Sequence, residues 1–153
     1  SYSKNQYLLP KEEKLYKFYN IKDQEFSIVL SEGREMIEEG LGKEASNLFY
    51  ILTLLDNQNL DAWMGLGMAL FSVGLSDDNQ SQDSFERALN AFWRAHILDP
   101  SNIVPPIAMI ESLIQLHRYQ DAYKIVQEIV GEKLDHKVEE ILNILNQEIK
   151  QKV

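Results

Sequence analysis

A recurrence of small and large residues every 34 positions constrains this chain more than any other feature. Gly67 follows Gly33 by 34 residues, Ala122 follows Ala88 by 34, and Val126 follows Phe92 by 34. The clearest unit runs from Asp61 to Pro100. In its first half Trp63, Leu66 and Leu70 are spaced for one helix face, with Gly67 on the side where a neighbouring helix presses in. In its second half Ala88, Phe92 and Ala95 share a face. Pro100 ends that second helix, because proline has no N–H to donate and its ring clashes with the preceding turn. One such hairpin cannot bury its apolar face alone, so it has to stack on copies of itself.

Copies flank it on both sides. Upstream the same template gives Gly33, Gly40, Ala45, Phe49, Leu52 and Asp56, and downstream it gives Leu113, Tyr119, Ala122, Val126 and Ile129. Ala88 follows Ala45 by 43 residues rather than 34, so about nine residues are inserted in the middle copy. They fall between Gly74 and Phe85, where the stretch 75–84 is polar and acidic. A hairpin tip tolerates such an insertion, whereas one inside a helix would put its two halves out of phase. The expectation is therefore a polar tip. A helical bundle with a chance spacing is the plainer alternative, and the joint recurrence of period and small positions argues against it.

In chain order, residues 1–9 read as an extended arm with one apolar patch, Tyr7-Leu8-Leu9, before Pro10. Lys11 to Tyr19 reads as a short helix with Leu15, Tyr16, Phe18 and Tyr19 among charges. Its aromatic side either seeks a partner surface or lies on the array. Asp23 is placed to cap a helix over about Gln24–Glu39, which Gly40-Leu41-Gly42 ends. Further helices are expected over Lys43–Leu55, from Asp61 to about Val73, and from Asp83 or Ser84 to Pro100. Pro105 and Pro106 belong in the first turn of the next helix, which runs to about Leu116. Tyr119–Val130 follows, and Gly131 closes it. A last helix, capped by Asp135, carries Val138, Ile141, Leu142, Leu145 and Ile149 on one side. That one-sided pattern suits the terminal cap a helical array requires. A coiled-coil dimer is the alternative, but two heptads make a short one.

Several chemistries lack their residues. With 153 residues, 44% apolar and 25% charged, the chain is long enough for a core and is neither disordered nor membranous. No apolar run is long enough to span a bilayer, and residues 1–9 lack the apolar centre of a secretory signal. The absence of cysteine removes disulfides, thiol catalysis and thiolate metal sites, and suits a reducing cytoplasm. A net charge of −9 disfavours non-specific nucleic-acid binding, which rests on neutralising phosphates. Gly42-Lys43 lacks a phosphate loop's first glycine, because Ile37 stands there, and Glu44 replaces the magnesium-binding hydroxyl. Gly65 and Gly67 follow no strand, so they make no dinucleotide fingerprint. Asp77, Asn79, Ser81 and Asp83 begin like a calcium loop, but Gln82 and Ala88 replace its glycine and its bidentate glutamate. None of His96, His117 and His136 has an i+4 histidine partner for zinc, and no Ser–His pairing suggests a nucleophile. The expectation is a protein without enzymatic activity, metal or cofactor.

The pattern resembles the tetratricopeptide repeat family, carried by Trp63, Leu66, Gly67, Leu70, Gly74, Phe85, Ala88, Phe92, Ala95 and Pro100. The resemblance covers roughly residues 26 to 131. Val29 and Pro106 stand where the flanking repeats would open on an aromatic residue, and His117 stands at a usual glycine. It implies an all-α, right-handed superhelix of three helix hairpins, with an N-terminal arm and leading helix over 1–22, repeats over 23–131 and a capping helix over 132–153. It also implies a groove on the inner side, reached by positions that fall one, five and eight residues after each opener: Leu30, Arg34 and Ile37; Met64, Met68 and Phe71; Ile107, Glu111 and Ile114. Repeat proteins that clamp a carboxylate tail use Lys, Asn and Arg at such sites, and Leu30 and Met64 replace two of them. A mostly apolar wall instead suits an extended peptide with spaced apolar anchors, and flexible methionines accept more than one sequence. The alternative is that these residues are covered by the protein's own arm or by a larger core.

Within that family, three repeats, small acidic size and the Trp63-Met64-Gly65-Leu66-Gly67 run are similar to the class II chaperones of bacterial type III secretion. That likeness implies a cytoplasmic, non-enzymatic holder. It would keep a membrane-active translocator soluble by clasping an extended segment of it, without itself entering a membrane or binding nucleic acid. It also implies a homodimer contact through Leu15, Phe18 and Tyr19 of the leading helix. The insertion at 75–84 departs from that family. The competing expectation is a general repeat scaffold that joins subunits of a larger assembly through its outer side or its inserted tip.

Overall fold

A computed structural model describes residues 14–130 and 136–152. Among them are eight helices: α1 Leu15–Phe18, α2 Asp23–Glu38, α3 Gly42–Leu55, α4 Leu60–Ser76, α5 Ser81–Leu98, α6 Val104–Gln115, α7 Tyr119–Val130 and α8 His136–Lys152. The described residues form no strand. Each helix from α2 to α8 packs on the next one in the chain, so α2/α3, α4/α5 and α6/α7 are three consecutive hairpins. α1 lies on α3, and α8 packs on α7 and reaches α6. Residues 1–13, which include the expected arm 1–9 and the start of the helix expected from Lys11, lie outside the described residues, as do Gly131 and the expected cap Asp135.

The spacing of small residues has a direct steric cause. The Phe49 ring of α3, fully buried, is wedged between α2 and α4 where both carry glycine. A Cβ at Gly33 would come within 2.6 Å of that ring, and one at Gly65 would collide with it. One repeat later Phe92 of α5 presses on Gly67 of α4 in the same way. Large residues on the second helices of the first two hairpins thus fill space that glycine leaves on the first helices. The resulting core is one cluster around Phe49, Leu66, Leu70 and Phe92, and a second around Ile110, Leu113, Val126, Leu142 and Ile149. Leu89 and Ile125 pack against both clusters and join them.

Local signals set the helix ends, with some shifts from expectation. α4 begins at Leu60, one residue before the expected start at Asp61, and Asn59 caps it, its side chain accepting from the Ala62 N–H at 2.9 Å. Asp23 is the first residue of α2 and accepts the Tyr16 hydroxyl at 2.5 Å, which ties α1 to α2. The Tyr16 ring stacks on Phe26, with centroids 4.6 Å apart. Pro105 and Pro106 open α6, where their missing N–H groups cost nothing. Gly40 and His117, equivalent in the first and third repeats, both end a first helix in the left-handed region, at φ 83° and 57°. Gly74, their counterpart in the middle repeat, stays inside α4.

That difference corrects the reading of 75–84 as a polar tip. Only 77–80 is non-helical; α4 continues to Ser76 and α5 begins at Ser81. The inserted residues mostly lengthen both helices. Ser81 Oγ donates to the Gly74 carbonyl at 2.6 Å, which closes the taller hairpin. On α8, Leu142 and Ile149 are buried against the third repeat, whereas Ile141, expected on that side, is exposed.

Candidate peptide-binding groove

α4 and α6 barely touch, although each packs closely on α5. The gap between them is a groove of about 360 Å³. Met64, Met68, Phe71, Ser72 and Leu75 of α4 form one wall, and Val104, Ile107, Ala108 and Glu111 of α6 form the other. Phe92 of α5 is buried at the floor, and Ile37 of α2 closes one side. Phe92 reaches the floor because Gly67 leaves room for its ring. The volume lies in the range of sites that enclose small ligands or a few side chains.

Six of the nine positions expected to face a groove line this one: Ile37, Met64, Met68, Phe71, Ile107 and Glu111. Met68 is 46% exposed, so the wall is open to a ligand. The other three positions are elsewhere. Leu30 is 5% exposed and belongs to the core with Tyr16 and Phe26, so it offers no surface; α1 covers the register that Met64 and Ile107 leave open in the later repeats. Arg34 is exposed but does not line the groove. Ile114 packs toward α7 and α8 in the second cluster. The sequence reading missed Ser72, Leu75, Val104, Ala108 and Phe92. Leu75 follows Phe71 by one helical turn and would have been found had the insertion been read as helix. Val104 and Ala108 flank Ile107 on the same face.

Eleven residues line the groove, and Glu111 is the one that is charged. Glu111 is an exposed residue overall, and the partial burial of its carboxyl against this apolar surround pushes it above its ordinary pKa. No Lys, Arg or His nitrogen among the described residues lies within ion-pairing distance of it.

A second pair of cavities, of about 440 and 490 Å³, lies on the opposite face between α5 and α7. Trp93, Met109 and Ile125 line both. Arg118 bridges Glu86 at 3.8 Å and Asp121 at 3.0 Å along one rim. Trp93 is 47% exposed. On α1, Phe18 and Tyr19 are 68% and 67% exposed, while Leu15 is half-buried. Among the described residues no group of three or more His, Asp or Glu is placed to hold a metal. No helix there is long and apolar enough to cross a membrane.

No protein-family model and no curated protein matches the sequence. Solved structures do match the fold. The chain is similar to the Yersinia enterocolitica type III secretion chaperone SycD in complex with a peptide of the translocator YopD, with a TM-score of 0.71 at 18% identity over 86% of this chain and 96% of that one. It is similar to the same chaperone as an alternative dimer, with a TM-score of 0.68 at 18% identity and the same shares. It is similar to PcrH in complex with the chaperone binding region of PopB, with a TM-score of 0.55 at 15% identity over 87% of this chain and 98% of that one. The fold of the described residues is that of these translocator chaperones.

Proposed function

We propose that this protein is a cytoplasmic chaperone of a type III secretion system. It holds an extended segment of an apolar translocator between α4 and α6 and carries out no chemistry of its own. The observation that carries the reading is the groove itself: a trough walled by Met64, Met68, Phe71 and Ile107 and floored by Phe92. Two proteins of this fold were solved with a translocator's peptide or chaperone-binding region. Exposed apolar surface of this kind is costly to leave open and is covered on binding. An extended strand presents alternate side chains to the trough, so a short segment suffices, and the methionines adapt to its side chains. Phe18 and Tyr19 on α1 give the chaperone a second apolar surface, suited to self-association through the leading helix.

Co-expression with translocators encoded near the protein's own gene, followed by affinity capture, tests the reading. Met68→Glu or Phe71→Asp is expected to reduce capture at least tenfold with helix content unchanged by circular dichroism. Trp93 and the clefts between α5 and α7 favour a second reading, a scaffold that joins subunits through its outer face. In that case Met68→Glu leaves capture intact and Trp93→Ala or removal of Asp77 to Ser81 abolishes it.

A further inference from the structure

Glu111 is out of keeping with the wall it stands in. Its neighbours across and along the groove are Met64, Met68, Phe71 and Ile107. The equivalent positions in the first two repeats are Arg34 and Met68, so the repeat itself demands no acid there. An ionised carboxylate backed by apolar side chains loses hydration, and that loss is recovered when a cation is brought to it. Nothing among the described residues brings one. Glu111 is exposed overall, so its carboxylate is only partly stripped of water, and that partial loss is what raises its pKa.

We propose that Glu111 selects the occupant of the groove: an extended protein segment with an apolar side chain against Met68 and Phe71 and a lysine or arginine two residues away, paired with Glu111. The spacing follows from strand geometry. Side chains two residues apart in an extended chain face the same way, roughly 6.5–7 Å apart, and a long basic side chain spans the remaining distance. An apolar trough alone accepts any greasy strand, and one anionic group in its wall discriminates among them and fixes the register. The inference rests on the peptide-holding reading.

Fluorescein-labelled decapeptides test it. Each carries two leucines four residues apart, which face the same way in an extended chain, with lysine, norleucine or glutamate scanned through the other positions, and affinities come from anisotropy. For the unaltered protein, lysine two residues from a leucine is expected to bind about tenfold tighter than norleucine. Glu111→Gln should reduce that gain below about twofold, and Glu111→Lys should transfer the preference to glutamate. Asp78→Asn, which removes the same charge from the exposed turn after α4, should change nothing. A lysine gain that is absent, is spread evenly over all positions or survives Glu111→Gln overturns the assignment. The two levels separate through Met68→Glu. If it abolishes leucine-dependent binding while lysine gives no gain, only the role of Glu111 falls. If leucine-dependent binding is absent, or persists in Met68→Glu, the groove reading falls and this inference with it.

Discussion

The packing of single side chains decides where these helices sit. Gly65 and Gly33 exist in their present form because Phe49 needs the space a Cβ would take. An alanine at an ordinary helical glycine adds up to about 1 kcal/mol of stability. At Gly65 the sign should reverse: Gly65→Ala is expected to cost about 1–2 kcal/mol net, because overpacking a closed core outweighs propensity. Urea unfolding measures this. Phe49→Leu should be less costly in the Gly65→Ala background than alone, since the smaller side chain frees the collision. Tyr16 and Asp23 make a pH-dependent clasp on α1. Burial first, and then the hydrogen bond to Asp23, push the Tyr16 hydroxyl up to about 12. The bond from Tyr16 holds the Asp23 carboxyl below its ordinary value. A tyrosine with a raised pKa contributes stability that is complete below about pH 10 and is lost as pH rises through about 12. The lowered carboxyl contributes above its ordinary pKa and loses that contribution as pH falls through the depressed value. A titration of tyrosinate absorbance should therefore contain a late step near 12 of one tyrosine's amplitude, missing in Tyr16→Phe. The absence of any such step in the unaltered protein would remove the clasp.

At the scale of elements, the repeat was legible wherever sterics repeat and illegible wherever they do not. Ala45, Phe49, Ala88, Phe92, Ala122 and Val126 are buried in the positions their period implies, because each fills the space left by a neighbouring helix. Leu30 shares its register with Met64 and Ile107, yet it is covered, because Tyr16 belongs to a leading helix outside the period. The stretch 75–84 misled for another reason. Serine, aspartate and glutamine look like loop residues, but serine and acids also suit a helix N-terminus. Ser81 and Asp83 occupy the first turn of α5. The nine or so extra residues are absorbed by two longer helices and a four-residue turn, so the hairpin remains in phase. His117 shows the limit of reading by residue type: it is not glycine, yet it adopts the left-handed conformation that Gly40 adopts two repeats earlier. Its ring nitrogen lies 2.7 Å from the Tyr119 hydroxyl, which holds the turn.

On the scale of the whole molecule, the groove is a consequence of how the stack is joined. α2 packs on α4, but α4 and α6 barely meet, so the third hairpin is attached mainly through α5. The core is correspondingly divided into a larger cluster through the first two hairpins and a smaller one shared by α6, α7 and α8. Stability in stacked repeats is distributed by neighbour contacts, so the more weakly joined end opens at lower free energy. Amides of α6 to α8 are therefore expected to exchange hydrogen faster than those of α3 to α5 in the free protein. A segment lying in the groove touches both Met68 on α4 and Ile107 on α6, and so bridges the loose joint. At a hundredfold excess over its dissociation constant a ligand stabilises the bound form by about 2.7 kcal/mol. If α6 opens by losing that bridge, its exchange should slow by about a hundredfold while α3 changes little. Hydrogen exchange with mass spectrometry, with and without a captured translocator segment, reads this out by element. Protection confined to α5 and α7 would place the ligand on the outer clefts beside Trp93 instead. Equal slowing throughout would mean that the stack opens as one unit and that the joint between α4 and α6 has no independent motion.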